Sequence, residues 1–180
     1  ELAAVTPSYA GIDYDRIDFE GIHWPCPTKE HPGTPILHRE QFTRGKGLFH
    51  AIDYTEPAEK TDTEYPLFLT TGRLLYHYHT GTMTMKTEGL NERAPACYVE
   101  ISSDDAQAYG LEDGSMVKVE SRRGDIRAAI KISEMAVAGT VFIPFHFAQA
   151  AANKLTNAAL DPVSGIPEYK VCAIRISKAA

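Results

Sequence analysis

The segment PLFLTTGRLLYHYHTGTMTMKT, residues 66–87, contains no aspartate or glutamate, although the 180-residue chain carries 24 acidic residues against 18 basic ones. Near its start, Thr71, Gly72 and Arg73 combine a hydroxyl donor, a residue whose missing Cβ lets backbone N–H groups approach a ligand, and a permanently charged guanidinium. Six threonines in the segment add further donors. This composition indicates a binding loop for a phosphate-bearing anion, and the alternative is an ordinary turn with a solvated arginine.

Histidines and cysteines are the residues of this chain best suited to bind a metal ion. His77 and His79 would face the same side of a strand, but no third ligand or carboxylate lies near them in the sequence. We therefore expect them to hydrogen bond to a ligand or to the core, and we assign no metal ligand. Cys26, Cys97 and Cys172 form no C-x-x-C pair and are predicted to be buried free thiols, which indicates a reducing compartment, the cytoplasm.

The composition argues against two classes of partner. A formal net charge of −6 and the lack of any Lys/Arg cluster give no electrostatic basis for binding nucleic acid or an anionic membrane surface. No apolar run approaches the ~20 residues of a membrane-spanning helix, and the N-terminus lacks the pattern of a signal peptide. Because the chain does not begin with methionine, we expect it to be a piece of a longer polypeptide.

The elements that position these residues follow a change of composition near residue 65. Residues 1–64 are rich in proline, glycine, histidine and charge, which predicts an extended arm with one or two short strands. Farther on, short apolar or alternating runs predict six strands, at residues 65–70, 97–101, 116–121, 126–132, 140–147 and 171–177. Between them, SSDDAQAYGL and AQAAANKL predict short helices. This pattern is typical of a small closed or half-closed barrel.

Several motifs occur in an order that resembles a known family. YPLFLTTGRLLYHYHTGTMT is followed by ISSDDAQAYGLEDGSMVKVESRRG, then by IPFHFAQAAANKLTNAALDP and IPEYKVCAIRI. The series resembles the C-terminal molybdopterin-guanine-dinucleotide-binding domain of molybdenum or tungsten oxidoreductases, the dimethyl sulfoxide reductase superfamily, and most of all that of formate dehydrogenase catalytic subunits. The upstream GIHWPCPTKEHPGTPILH and GKGLFHAIDYTEPAE resemble the segment that precedes this domain in formate dehydrogenases and assimilatory nitrate reductases.

The resemblance implies a mainly β fold, with a six-stranded double-psi β-barrel at residues 65–180, short flanking helices and an extended N-terminal arm at residues 1–64. It also implies that the barrel closes over bis-molybdopterin guanine dinucleotide (bis-MGD) with molybdenum or tungsten. The implied cofactor-binding residues lie in the loop after the first strand, in the segment after TVFIP and in the PEYK element. They are Thr71, Gly72, Arg73, Leu74, His77, His79, Thr80, Thr82, Phe145, Asn153, Tyr169 and Lys170.

The chemistry of the last two regions suits such a ligand. The Asn153 amide can both donate to and accept from a fused pterin ring. Lys170 can place a positive charge beside a phosphate or the pterin, and Tyr169 offers a ring with a hydroxyl tip. For this last pair the alternative is a tyrosine packed against the barrel and a solvated lysine.

The resemblance further implies that this chain is one part of a larger enzyme. In the family, pterin dithiolenes and a cysteine or selenocysteine hold the metal, and an iron–sulfur cluster near the N-terminus carries electrons away. None of these protein ligands maps onto this chain. We therefore expect a parent enzyme that oxidises formate to carbon dioxide, and a chain that has no catalytic residue and is inactive alone. Its expected partners are the upstream domains of its own subunit and electron-transfer subunits, in the cytoplasm or, as the alternative, the periplasm.

Two other functions fit parts of the pattern. A nitrate reductase shares the TGR-type loop and much of the arm, so the choice of formate rests on overall likeness. A free-standing double-psi barrel would instead be an interaction module or a self-processing decarboxylase, because Asp113, Gly114 and Ser115 superficially resemble a Gly-Ser cleavage site. The surrounding EDGSMV is interpreted more simply as a turn that leads into a strand.

Overall fold

A computed structural model describes residues 1–179 of the chain. These residues form two compact units, Glu1–Tyr54 and Thr55–Ala180. The second unit begins upstream of residue 65, where the composition changes, because the short polar segment 55–64 is bonded to the barrel through Glu59. In the part of the chain that the structure describes, no helix has the length and apolar character needed to cross a membrane.

The first unit contains short helices in place of strands. They are α1, Leu2–Val5, and α2, Tyr14–Ile17, with a 3₁₀ turn at Pro7–Tyr9 between them. Residues 1–64 are described throughout, and their only sheet-like contact is an isolated bridge between Phe42 and Gly45. The prediction of one or two short strands in this part of the chain is therefore wrong.

In this unit the Arg16 side chain donates hydrogen bonds to backbone carbonyl oxygens, as a neighbouring strand does in a sheet. Its guanidinium donates to the carbonyl oxygens of Gly11 and His31, the latter at 2.8 Å, and lies 3.4 Å from the Sγ atom of buried Cys26. A side chain at Gly11 is excluded, since its Cβ would lie 1.9 Å from the Thr28 carbonyl oxygen. Arg16 thus satisfies two carbonyl groups of the irregular backbone, which the composition of the segment does not reveal.

The second unit contains a closed six-stranded barrel, as predicted. Its strands are β1, Leu67–Gly72; β2, Tyr98–Ile101; β3, Met116–Ser121; β4, Gly124–Ile132; β5, Thr140–Pro144; and β6, Cys172–Lys178. Around the barrel the order is β1-β5-β2-β4-β3-β6. The pairs β1–β5 and β2–β4 are parallel, and the other neighbours are antiparallel. This is the double-psi β-barrel that the resemblance implies, and its closure leaves no free sheet edge.

Apolar residues of the alternating strands fill the barrel. Val117 and Val119 of β3 are fully buried, while Lys118 and Glu120 lie on the other face and form an ion pair at 2.8 Å. The predicted alternation of β4 is also present, and the residues that face the core are Ile126, Ala128 and Ile130, with partly buried Ile132. The period of two along each strand therefore separates the core face from the outer face.

Two α-helices flank the strands, α3, Glu88–Arg93, and α4, Ser103–Ala108. Helix α4 begins at its predicted cap, where the Ser102 hydroxyl accepts the Asp105 N–H at 3.1 Å. Gly110 follows the helix with a φ of 60°, a left-handed conformation that glycine adopts without strain. The predicted start and end of this element are therefore confirmed.

The segment AQAAANKL differs from its prediction. It forms two 3₁₀ turns, Ala148–Ala150 and Ala152–Lys154, instead of one α-helix, and Ala151 between them is extended. Ala150 and Ala152 are both buried, although residues two apart lie on nearly opposite sides of an α-helix. Burial against the barrel therefore outweighs the helix propensity of the alanines.

The sequence EDGSMV is a turn that leads into β3, as predicted. Gly114 has a left-handed φ of 78°, and the Ser115 hydroxyl accepts the Glu112 N–H at 3.2 Å. The Asp113 carboxylate accepts the Ile132 N–H at 2.8 Å. The side chains of Asp113 and Ser115 thus stabilise the turn through backbone groups.

The pairing of β1 brings the three predicted binding regions to one end of the barrel, which we call the loop end. Strands β1 and β5 run parallel with Gly72 opposite Pro144, so the loops that follow both strands leave at the same end. Strand β6 is antiparallel to β1, with Leu69 opposite Cys172, so the segment that precedes β6 reaches this end as well. The regions that meet there are residues 73–82, 145–153 and 169–170.

Glu59 joins the segment 55–64 to the barrel. Its carboxylate accepts hydrogen bonds from Arg122 at 2.6 Å, from Arg123 at 2.7 Å and from the Ala173 N–H at 3.2 Å. Burial raises the pKa of Glu59, but these hydrogen bonds, that from Arg123 first, together lower it more, so the pKa lies below its usual value. The ionised carboxylate therefore stabilises the folded chain.

Replacing Glu59 by glutamine is expected to destabilise the chain by about 1–3 kcal/mol at neutral pH, because two guanidinium groups lose a charged acceptor. The difference should shrink in acid. Since the folded pKa lies below 4.5, the carboxylate stabilises the fold above that pH, and its contribution is lost as the pH falls through the folded pKa. Urea denaturation at neutral and acidic pH measures both effects.

Glu56→Gln is the matched control for this substitution. It removes an exposed ion pair with Lys60 at 3.5 Å, which contributes little to stability. Equal losses of unfolding free energy for Glu56→Gln and Glu59→Gln would contradict the role of the Glu59 contact.

Candidate functional site

Thr71 joins two of the predicted regions at the loop end. It is buried near the end of β1, and its hydroxyl donates to the Tyr169 carbonyl oxygen at 2.7 Å. The Lys170 ammonium group donates to the Thr71 carbonyl oxygen at 2.6 Å. The Thr71 hydroxyl hydrogen is therefore used within the domain, while the side chains of Tyr169 and Lys170 are exposed. The ammonium group retains further N–H donors for a ligand.

Packing requires a glycine at position 72. A Cβ on Gly72 would lie 2.5 Å from Cε2 of the Phe142 ring, which reaches across from β5. The Gly72 carbonyl oxygen accepts the Phe145 N–H at 3.2 Å, so the chain leaving β5 stays beside the chain leaving β1. The structure thus shows that Gly72 lies close to an aromatic ring. That the Gly72 backbone also approaches a ligand stays a prediction.

Arg73 is a charged group of the site with no polar partner among residues 1–179. Its side chain is exposed, and its guanidinium carbon lies 5.4 Å from the centroid of the Phe145 ring. The aromatic face favours a position of the guanidinium near the ring. Its planar fork of N–H donors is therefore available to an anion.

His146 is a site residue that the sequence analysis missed. It is fully buried at the loop end, where the Leu74 N–H donates to its Nε2 atom at 2.7 Å. Its Nδ1 atom is hydrogen bonded to the His79 carbonyl oxygen. Strand alternation through TVFIPFHF predicts that His146 faces away from Ile143 and the core, but β5 ends at Pro144. The signal that could have identified the residue is a lone histidine within an apolar run.

His77 and His79 do not share one face, because residues 73–80 form turns instead of a strand. His77 is buried, and its ring nitrogens bond to the Thr84 hydroxyl at 3.1 Å and to the Ala94 carbonyl oxygen at 2.7 Å. The His79 side chain is exposed, and its backbone has a left-handed φ of 46°. His77 therefore hydrogen bonds to the core. The strand alternation that would place the rings of His77 and His79 on one face is absent.

Within residues 1–179, no three acidic, histidine or cysteine side chains are placed to bind one metal ion. The three cysteines are buried free thiols, as predicted. Burial raises the pKa of Cys97 and of Cys172 to about 11, so both thiols are protonated at neutral pH.

A cavity of about 220 Å³ lies at the loop end. It is lined by Thr80, Phe145, His146, Phe147, Ala148, Ala151 and Asn153. The lining thus combines aromatic rings and small apolar groups with hydroxyl and amide groups, and contains no carboxylate. The hydroxyl oxygens of Thr80 and Thr82 are 3.0 Å apart, and the Asn153 side chain is exposed. The second predicted region and the loop after β1 therefore meet at one cavity, which suits a flat ring with polar edges.

The ionisable groups around this cavity are basic, although the chain as a whole is acidic. Burial lowers the pKa of His146, the hydrogen bond to His79 opposes this effect, and the neighbouring His77 and Arg73 lower the pKa further. His146 is therefore neutral at neutral pH. Since residues 66–87 contain no carboxylate, the surroundings of the cavity favour a ligand with negative charge.

Comparison with known proteins agrees with this geometry. Residues 67–173 match the family described as molydopterin dinucleotide binding domain. The chain is 50% identical over 180 residues to the F420-dependent formate dehydrogenase 1 subunit alpha of Methanococcus maripaludis, in a match that covers 99% of this chain and 27% of that protein. It is 44% identical over 174 residues to the assimilatory nitrate reductase catalytic subunit of Bacillus subtilis, covering 93% of this chain and 24% of that protein. The chain therefore spans about a quarter of the length of these curated relatives.

A solved structure shares the fold. Acetylene hydratase from Pelobacter acetylenicus superposes with a TM-score of 0.62 over 71% of this chain and 21% of that protein. The sequence identity in this match is 21%, so the likeness concerns the fold alone. It supports the barrel architecture independently of the strand pattern.

Gly72→Ala is expected to destabilise the chain by about 1–3 kcal/mol, because the new Cβ overlaps the Phe142 ring in a strand that is paired on both sides. Thermal melting measures the loss. Gly89→Ala is the matched control, since Gly89 lies in α3 with open space around its missing side chain, and alanine there should stabilise the helix by up to about 1 kcal/mol. If both variants melt alike, the contact with Phe142 does not constrain β1.

Proposed function

The chain belongs to the molybdopterin dinucleotide binding domain family, and we propose that it forms part of a binding site for molybdopterin guanine dinucleotide in a formate dehydrogenase catalytic subunit. The observation that carries this proposal is the composition of the loop end, where an acid-free loop, an unpaired guanidinium and an aromatic-lined cavity meet. Such a set of groups suits a ligand that combines a diphosphate with a fused polar ring.

The donors left unbonded at the loop end fit this cofactor. The Arg73 guanidinium and the Lys170 ammonium group are the proposed partners of its phosphates, since both retain N–H donors and lie in exposed positions. The hydroxyl groups of Thr80 and Thr82 and the amide of Asn153 are the proposed partners of the pterin edges. The partly buried ring of Phe145 and the exposed ring of Tyr169 complete the proposed contacts with apolar faces.

The remaining predicted residues support the site through the fold. We propose that Thr71, Gly72 and His77 set the backbone at the loop end, because their polar groups or their missing side chain are used by contacts inside the domain. Leu74 and His79 act through backbone groups, both bonded to the His146 ring. This division separates residues that touch the cofactor from residues that hold the loop for it.

Bound bis-MGD with molybdenum or tungsten would supply the two-electron chemistry that oxidises formate to carbon dioxide. In the proposed enzyme the residues of this chain bind the cofactor, orient it and neutralise its phosphate charge. Hydrogen bonds from these residues also tune the reduction potential of the metal. No residue of this chain is assigned to bond breaking or to the metal.

We propose residues 1–64 as a connecting arm and residues 65–180 as the cofactor-binding domain of a longer subunit. The upstream domains of that subunit, with an iron–sulfur cluster, and separate electron-transfer subunits are the proposed partners, and the cytoplasm is the proposed compartment. The higher identity to the formate dehydrogenase subunit, 50% against 44% for the nitrate reductase subunit, supports formate as the substrate. Nitrate is the weaker alternative.

Arg73→Gln in the full-length subunit is expected to lower cofactor retention, because a phosphate loses a charge-assisted hydrogen bond of about 1.5–3 kcal/mol. The metal and pterin content of the purified enzyme measures this loss. Arg127→Gln is the matched control, since Arg127 is an exposed arginine of β4, far along the chain from the acid-free segment. Full cofactor content in the Arg73 variant would identify Arg73 as a solvated residue of a turn.

The 180-residue chain expressed alone is expected to fold and to contain neither molybdenum nor tungsten, because the proposed metal ligands lie outside it. It should show no formate-dependent dye reduction. Metal analysis by mass spectrometry and a dye assay check both statements. Stoichiometric metal together with turnover would contradict the assignment of this chain as a cofactor-binding part.

A further inference from the structure

One imidazole ring is bonded to both ends of residues 74–79 in the loop after β1. His146 is fully buried, and its Nε2 atom accepts the Leu74 N–H at 2.7 Å. Its Nδ1 atom is hydrogen bonded to the His79 carbonyl oxygen. Arg73 directly precedes the first bonded residue, and Thr80 directly follows the second. Two residues that are proposed to contact the cofactor therefore flank the segment that His146 holds.

These bonds determine the protonation of the ring. A backbone N–H can only donate, so Nε2 must carry a lone pair, and a carbonyl oxygen can only accept, so Nδ1 must carry the proton. His146 is therefore neutral, in the Nδ1–H tautomer. Protonation of Nε2 would place two N–H groups against each other and would break the bond to Leu74.

The bond to His79 lies at a strained point of the backbone. His79 has a φ of 46°, in the left-handed region that residues with a Cβ rarely occupy. Gly81 follows with a φ of 72°, and its N–H donates to the Tyr78 carbonyl oxygen at 2.9 Å. Such a conformation persists only where its surroundings determine it, and the buried His146 ring contacts it from the segment after β5.

We propose that His146 is a positioning residue whose two hydrogen bonds set the conformation of residues 74–79 and thereby order Arg73 and Thr80 before the cofactor binds. The identity of the cofactor rests on the proposed function, whereas the positioning rests on the contacts of this chain. A loop that is ordered in advance loses less conformational entropy when the ligand binds. Removal of either bond should therefore weaken cofactor retention, although both ring nitrogens are bonded inside the domain and donate no hydrogen bond to the cofactor.

The groups that face His146 oppose its protonation. His77 lies 5.8 Å away between ring centroids, and Arg73 and His79 also lie close to the ring. Burial is the main cause that lowers the pKa of His146 from its usual 6.5, and these neighbours add to it against the opposing bond to the His79 carbonyl oxygen. The loop is therefore fully ordered above pH 6.5, the usual pKa of histidine. Its order is lost as the pH falls through the lower pKa of His146 in the folded chain.

Two substitutions separate the two bonds. In His146→Asn the amide nitrogen takes the place of Nδ1 and keeps the donor to His79, whereas in His146→Gln the amide oxygen reaches the place of Nε2 and keeps the acceptor for Leu74. Hydrogen exchange measured by NMR on the chain should show Leu74 exchanging about 2- to 12-fold faster in His146→Asn, the range for one lost neutral hydrogen bond. Gly81 should exchange faster by a similar factor in His146→Gln.

The unmodified chain and a third variant test the protonation state. Nitrogen-15 spectra of the His146 ring should show the Nδ1–H tautomer at neutral pH. His146→Phe removes the titrating group, so the acid dependence of the Leu74 protection factor, the exchange rate of an unstructured peptide at the same pH divided by that of Leu74, should vanish. His23→Phe, at an exposed histidine, should preserve that dependence. An Nε2–H tautomer, or unchanged exchange of Leu74 and Gly81 in the amide variants, overturns the proposal.

The cofactor content of the full-length subunit separates this inference from the proposed function. Positioning predicts a lower pterin content in both His146→Asn and His146→Gln. If Arg73→Gln loses cofactor while both His146 variants keep it in full, the positioning role is wrong and the cofactor site remains. If none of the three variants loses cofactor, the proposed contact of Arg73 with a cofactor phosphate is wrong, and the positioning of Arg73 and Thr80 for that cofactor fails with it.

Discussion

The parallel pairing of β1 with β5 is the constraint on which the candidate site depends. Two strands that run in the same direction end at the same edge, so the loops after Gly72 and after Pro144 must leave the barrel side by side. Antiparallel pairing of β6 on the other side of β1 adds the segment that contains Tyr169 and Lys170. Residues about 70 to 100 positions apart in the sequence therefore share one site because the barrel closes.

Polar groups at this end fall into two sets with different tasks. One set is bonded inside the domain: the Thr71 hydroxyl, both nitrogens of His77 and both nitrogens of His146. Buried polar groups need such partners, since an unmade hydrogen bond is costly away from water. The other set retains donors for a ligand: the Arg73 guanidinium has no polar partner in residues 1–179, and the Lys170 ammonium group uses one N–H on the Thr71 carbonyl oxygen and keeps the rest. The groups that are bonded inside the domain thus hold the groups that are available to a ligand in a defined arrangement.

Sequence patterns predicted those elements whose period and end signals agree. The six strands follow from alternation and short apolar runs, and α4 follows from Ser102 and Gly110, because local geometry and burial point the same way there. The prediction is wrong where tertiary contacts oppose the local tendency. Residues 148–155 are rich in alanine yet form 3₁₀ turns against the barrel, and in the irregular first unit the Arg16 guanidinium bonds to carbonyl groups that are distant from it in the sequence.

The sequence by itself determined the chemistry of the loop end, since the lack of carboxylates in residues 66–87 and the identities of Arg73 and Lys170 do not depend on the fold. Only the tertiary structure decided which polar groups remain open to a ligand. Whether a hydroxyl or an imidazole is free depends on what lies within hydrogen-bond distance of it, and at this site those partners come from distant positions in the chain. For this reason His146 is inconspicuous as one letter in IPFHF, yet its buried ring contacts both ends of residues 74–79.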